Sequence, residues 1–361
     1  MKNKIRRSIL AAFCAVAMML SLVACGGGST EKPAEKPADD AAASDAAEPA
    51  ADDAAAPAEE KTFNMKLAHN LAEDHAVHIQ LTAFAEAVKE KSNGTINIEV
   101  VPNGTLGSEA DCISQIQAGA LEMTKVSAGT LGNFNNKWNA LSVPYVFNDQ
   151  AHYYSVMDGE IAQDLYKSTE SDGFIGLTWL DSGARSFYTA NTPIRTPADL
   201  AGLKIRTMDS QMAIDMMNAL GGSSVVMGYS DIYAGMQQGV IDGAENNVTA
   251  LRDHADVAGY YCYDEHTRIP DIVVISKSVW DSMSDNQRQI MTECAAQASD
   301  DYKTAWKNFE DEVLASVEGK VELITDVDTA AFQEACQSIY ENLKTSDPEV
   351  YSVVEQIQNA G

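Results

Sequence analysis

The sequence predicts an α/β protein of two lobes with a ligand cleft between them. Three observations support this. About 300 residues follow Lys61, enough for two lobes of ordinary domain size. In the first part of that stretch, short apolar strands and segments of helical spacing follow one another in βαβαβ order. After residue 173 the same alternation begins again.

The elements run as follows. Residues 63–68 (FNMKLA) alternate as a first strand, and residues 75–91 place Leu81, Phe84, Ala85 and Val88 on one helical face. Residues 96–101 are a second strand, closed by the turn Pro102-Asn103-Gly104. A helix over 112–120 and a third strand over 121–127 complete the unit, which predicts a mainly parallel sheet with crossover helices. In the second unit, 173–180 and 185–190 are strands, and 203–207 is a strand opening into a helix over 210–220. A strand over 224–227 and a helix over 230–239 follow. The apolar run 272–276 returns the chain to the first lobe, and 285–318 is one long charged helix. The expected division is 61–183 plus 273–311 for lobe I and 184–272 plus 312–361 for lobe II. Open α/β sheets bind ligands at their strand ends, so the cleft is the expected site.

The N-terminal residues point to export. Lys2, Lys4, Arg6 and Arg7 precede an apolar run from Ile9 to Val23, too short for a confident membrane span. The run ends Leu22-Val23-Ala24-Cys25, which resembles the bacterial lipobox and implies removal of 1–24 as a signal peptide and lipidation of Cys25. Residues 29–60 are almost entirely Ala, Pro, Asp, Glu and Lys, without an aromatic or branched aliphatic side chain. Such a composition buries too little apolar surface to offset its ordering entropy, so 25–60 is expected to be a lipid anchor and disordered acidic tether.

A formal charge of −28 at pH 7 argues against nucleic acid as a partner. It leaves room for a few arginines lining an anion pocket inside an acidic shell. Beyond Cys14 and Cys25, the cysteines are Cys112, Cys262, Cys294 and Cys336, without CxxC spacing, and their disulfide state stays open. The chain has no HExxH, no G-x-S-x-G elbow and no phosphate-cradling P-loop. His69, His75 and His78 have no regular metal-ligand spacing, so neither a metal, a cofactor nor an enzyme is expected.

Further motifs carry a resemblance. They are Leu106-Gly107-Ser108-Glu109, Gln115 to Met123, Val143-Pro144-Tyr145-Val146-Phe147, Arg195 to Arg206 and Asp231 to Asn246. Together, in order and at family spacing from about Phe63 to the C-terminus, they resemble the TRAP-transporter solute-binding family of the DctP type. The resemblance implies a two-lobed periplasmic-binding-protein-like fold that closes around an organic acid. It also implies delivery to small and large integral membrane subunits driven by an ion gradient.

Residue by residue, the resemblance implies that Arg206, closing Leu203-Lys204-Ile205-Arg206, pairs with the ligand carboxylate. A guanidinium suits that role because it presents two parallel donors and stays charged when desolvated. Arg185 matches a second cleft position and would suit a second anionic or polar group. Asn246 stands where the family usually has Gln-Glu-Asn-Pro; here the run is Ala244-Glu245-Asn246-Asn247, a departure that questions the usual small diacid. Asn70, Glu109, Ser127 and Tyr229 align with cleft-lining positions, though turn, cap or core roles would suit them too. Trp179, His266 and Arg268 are weaker candidates, and 264–268 reads equally as a solvated loop. The mixture favours a hydroxylated acid, a uronate or aldonate, over a bare C4-dicarboxylate. A surface sensor and an ATP-driven transporter's binding protein are the alternative readings.

Overall fold

The computed structural model describes residues 60–360. The residues expected to form the export segment, Cys25 and nearly all of the expected tether lie outside the described residues. Those residues contain strands β1 (Phe63–Ala68), β2 (Ile96–Val101), β3 (Met123–Ser127), β4 (Phe174–Leu180), β5 (Arg185–Thr189), β6 (Lys204–Thr207), β7 (Ser223–Val226), β8 (Gly243–Asn247), β9 (Tyr260–Thr267), β10 (Asp271–Ser276) and β11 (Glu322–Ile324). They form two sheets, ordered β2-β1-β3-β10-β4 and β11-β9-β5-β8-β6-β7.

Each sheet is parallel except for one strand. In the first, β10 runs antiparallel to β3 and β4, while β1 pairs parallel with β2 and β3. In the second, β5 runs antiparallel to β8 and β9, while β6 pairs parallel with β7 and β8. The exceptions are the strands by which the chain enters from the other sheet. β5 follows β4 through 181–184, and β10 follows β9 through 268–270. Entering from the cleft side, these strands start where their neighbours end.

Helix boundaries follow their caps. The first helix, Ala76–Lys91, starts one residue later than expected because the His75 side chain caps it, accepting from Val77 N at 3.1 Å. The second starts at Glu109 rather than Cys112. Ser108 and Asp111 form a reciprocal capping box there, satisfying the free N–H groups of the first turn. Residues 230–239 divide into a 3₁₀ turn, Tyr229–Asp231, and a short helix, Ile232–Gln237. The segment 264–268 is no solvated loop: Asp264 and His266 are fully buried within β9.

The long helix Asp285–Ser316 buries Ile290, Met291, Cys294, Ala298, Tyr302, Trp306, Phe309 and Val313 at spacings of three and four. It lies against Ala76–Lys91 and β4 of the first lobe and also meets Val248–Ala250, which follows β8 of the second. One rigid element therefore touches both lobes. Helix Thr329–Ser346 packs on Gln211–Ala219 and β9. Helix Pro348–Gln358, grouped with the second lobe from sequence, packs on the 3₁₀ segment Asn136–Ser142 and helix Glu160–Ser168. Tyr340 and His152 help fasten that region, binding the Pro144 and Ile357 carbonyls at 2.7 and 2.8 Å. Cys112, Cys262, Cys294 and Cys336 are buried free thiols. Among the described residues, no helix is long and apolar enough to cross a membrane.

Gly243 shows how tightly the crossing strand is seated. A Cβ there would collide with the Tyr188 carbonyl and lie 2.9 Å from Thr189 Cα, both in β5. Gly243→Ala is therefore expected to destabilise the protein by about 1–3 kcal/mol, read from the urea midpoint at unchanged m.

Candidate functional site

The strand pattern places polar residues on both sides of one cleft. Asn70 follows β1, Ser127 ends β3 and Asp271 opens β10 on one wall. Opposite, Arg206 lies near the end of β6, Asn246 and Asn247 end β8, and Arg185 opens β5. Between them lies a cavity that is partly open to solvent. Arg206, Arg185, Asn246, Glu109, Asn70, Ser127 and Tyr229 all line it. It adjoins a second hollow that shares Asn70, Glu109, Arg206, Met208 and Tyr229 and reaches the loop 226–231.

The two arginines differ in one decisive respect. Arg185 is 4% exposed, and its Nε donates to Glu245 Oε2 at 2.7 Å. Its Nη1 donates to Asn246 Oδ1 at 2.6 Å and its Nη2 to the Glu245 carbonyl at 2.8 Å. Burial alone would lower its pKa, but the Glu245 carboxylate outweighs this and raises it. Burial likewise works against the Glu245 carboxylate, yet Arg185 and then His266 hold it down at about 2. Arg185 thus lines the cavity with its charge already matched by Glu245, an arrangement less suited to a second anionic group than to a polar one.

Arg206 is 5% exposed and has no carboxylate partner among the described residues. Its Nε donates to the Met227 carbonyl at 2.9 Å, which fixes the guanidinium plane. Burial lowers its pKa, in contrast to Arg185, although Glu245 opposes the shift. A cation desolvated without a counter-ion is costly and favours an incoming anion.

The remaining predicted residues are partly engaged. Glu109 accepts from Lys125 Nζ at 2.9 Å, Thr130 Oγ1 at 3.1 Å and Ser127 N at 3.2 Å. It is consequently less free to meet ligand hydroxyls than expected. Ser127 Oγ caps the following turn through Gly129 N at 3.3 Å and approaches Met208 Sδ at 3.7 Å. The Asn246 side-chain oxygen is taken by Arg185 and Asn247 N, so the amide offers the cavity a donor rather than both roles. Asn70 Oδ1 is buried with no hydrogen-bond partner among the described residues. Tyr229 is held by its hydroxyl, which donates to Asp253 Oδ2 at 2.8 Å.

Three weaker candidates lie elsewhere. Trp179 belongs to an aromatic cluster with Tyr153 and Tyr154 and donates to Asp158 at 3.0 Å. His266 sits behind the cavity wall, bonded to Asp264 Oδ2 at 2.7 Å and near Glu245 Oε2 at 3.5 Å. Arg268 reaches Glu265 at 3.5 Å. The histidines suspected of metal binding are also accounted for. His75 caps a helix, and His69 pairs with His78 at 3.0 Å. Among the described residues, no cluster of three or more His, Cys, Asp or Glu could hold a metal ion.

Sequence reasoning missed Lys125, Asp271, Asn247, Met208 and Trp306, all of which line the cavity. A usable signal existed for the charged ones. Lys125 interrupts Met-Thr-Lys-Val-Ser and Asp271 opens an otherwise apolar strand, and a charge within a fully buried strand needs a partner. The walls already touch. Asn133 Nδ2 donates to the Asp209 carbonyl at 2.9 Å, and Arg252 pairs with Asp74 across the cleft.

Comparison with known proteins agrees with this architecture. Residues 67–347 match the family described as bacterial extracellular solute-binding protein, family 7 (DctP). The protein YiiZ of Salmonella typhimurium is 41% identical over 282 residues, covering 77% of this chain and 86% of its own. A TRAP periplasmic solute-binding protein from Sulfitobacter sp. NAS-14.1, solved with bound β-D-galacturonate, is 33% identical with a TM-score of 0.80, covering 82% of this chain and all 100% of its own. Another from Anaerococcus prevotii, with bound D-glucuronate, is 34% identical with a TM-score of 0.80, covering 83% of this chain and 98% of its own.

The ion network behind the cavity has a pH signature. Burial works against a charged His266, but Asp264 and Glu245 outweigh it and hold the pKa at about 9, above the ordinary 6.5. The resulting stability is fully present below pH 6.5 and is lost as pH rises through 9. His266→Gln is expected to flatten the decline of melting temperature across that window. An unchanged slope in a pH series of thermal melts would refute the assignment.

Proposed function

The chain belongs to the bacterial extracellular solute-binding proteins of family 7, and on that premise we propose that it captures a sugar acid with one carboxylate, of the uronate class, for a TRAP-type transporter. One observation carries the choice of ligand. Of the two arginines lining the cavity, Glu245 neutralises Arg185, leaving Arg206 as the guanidinium without a carboxylate beside it among the described residues. One unmatched cation calls for one carboxylate, and the rest of the lining is suited to hydroxyls. The bound uronates of the two similar structures support the same class. A C4-dicarboxylate would bring a second charge without a second unmatched cation.

Capture proceeds by closure. The carboxylate takes the free Nη edge of the Arg206 guanidinium, whose plane is already set by Met227, so little orientation remains to be lost. Contacts to both walls then favour the closed arrangement over the open one, and only that difference can shift the equilibrium. No bond is made or broken. Delivery to small and large membrane subunits, driven by an ion gradient, and tethering through lipidated Cys25 complete the proposed role.

Arg206→Ala should lower affinity for the sugar acid at least about tenfold, since an unpaired buried charge partner costs roughly 2–5 kcal/mol. Titration calorimetry with D-glucuronate, D-galacturonate and succinate checks both points; tight succinate binding with no heat from either uronate would overturn the ligand class. Cys25→Ala should move the protein from the membrane to the soluble fraction on cell fractionation. Persistence at the membrane would rule out the lipid anchor.

A further inference from the structure

Lys125 stands within β3, where every residue is buried, and is itself 3% exposed. Its ammonium donates to Glu109 Oε1 at 2.9 Å and Asp271 Oδ1 at 3.1 Å. An ammonium has three N–H donors, so one remains. Lys125, Glu109 and Asp271 all line the cavity, on the wall opposite Arg206. Asp271 Oδ2 takes no hydrogen bond among the described residues, and neither does the nearby Asn70 Oδ1.

A buried ion cluster is a poor investment in stability alone. Well-packed apolar residues of similar volume commonly serve as well or better. Placing it against a cavity, with one donor and two acceptors unused, suits a ligand group that both gives and takes a hydrogen bond. A hydroxyl is such a group; a carboxylate is not.

We infer that Lys125 is a specificity-determining residue, donating its third N–H to a sugar hydroxyl remote from the carboxylate, which in turn donates to Asp271 Oδ2. This inference rests on the sugar-acid reading above. Arg206 then selects the acid end and the Lys125–Asp271 pair the hydroxylated end, so the ligand spans the two walls. Glu109 is a positioning residue, holding the ammonium from the far side with help from Thr130 and Ser127 N.

The test is titration calorimetry on the full chain with D-glucuronate and its singly deoxygenated analogues. Wild-type protein should bind the parent well and one analogue at least about tenfold more weakly, the loss typical of a hydrogen bond to a charged group. Lys125→Met should narrow that difference by about tenfold, because the hydroxyl then keeps only its bond to Asp271 Oδ2. Asp271→Asn, which keeps an oxygen for Lys125, should narrow the same gap and is the variant to use if Lys125→Met fails to fold. If the gap keeps its full size in a folded variant, or if parent and every analogue weaken alike with a lower melting temperature, Lys125 is structural and the inference fails alone. If wild-type protein binds neither D-glucuronate nor D-galacturonate, the sugar-acid reading fails and this inference with it.

Discussion

A guanidinium buried without a carboxylate beside it is the constraint on which the site depends. Arg206 has lost most of its hydration and received one backbone carbonyl in return. Such an arrangement persists only if the surrounding fold holds it, because the group alone would rather be solvated. The support is local. Ile205 and Arg206 pair in β6 with β8 on one side and β7 on the other, and Met227 continues from β7 to meet Nε. Arg185, a strand away, shows the alternative outcome. With Glu245 beside it, the same side chain has its counter-ion before any ligand arrives.

The division of labour between these arginines follows from topology. Each sheet has one strand running against the others, and in each case the chain has just arrived from the opposite lobe. Its first residue therefore lands at the cleft, beside the last residues of its parallel neighbours. Arg185 opens β5 opposite Asn247, and Asp271 opens β10 opposite Ser127. Crossing strands thus bring a second set of polar side chains to a position that parallel strands alone would line only with their C-terminal ends. On both walls the arriving charge is partnered by a buried residue of an adjacent strand, Glu245 in one case and Lys125 in the other.

That topology also explains what the sequence disclosed. Strands and helices with clear periodicity were legible, as were the residues at strand ends, because strand position alone says which ends meet the cleft. All seven ligand-binding candidates do line the cavity. Their charge states were not legible. Whether Arg185 is free depends on Glu245, 60 residues away, and the state of Lys125 depends on Asp271, 146 residues away. No local pattern encodes such pairings, since they arise when the chain crosses between sheets. Trp179 and His266 looked like site residues for the converse reason: aromatic and imidazole groups are conspicuous in sequence, whether they face a cleft or a core. Residues 264–268 misled in the same way, because a run of charges resembles a loop until its partners bury it.

Binding and closure are then one event viewed from two sides. The direct ties between the walls are few among the described residues. One is a side-chain amide on a carbonyl, and another is an ion pair whose Asp74 partner is 76% exposed. Exposed pairs of that kind contribute about 0–1 kcal/mol, too little to hold two lobes together. The two long-range polar systems, Arg206 on one wall and Lys125–Asp271 on the other, belong to different sheets and do not touch. The proposed ligand, with a carboxylate at one end and hydroxyls at the other, would supply the missing connection. It would engage both only with the cleft shut, which is the differential affinity that a shift of the lobe equilibrium requires. A smaller acid could neutralise Arg206 yet leave the opposite wall unanswered, so it would bind without favouring closure to the same degree.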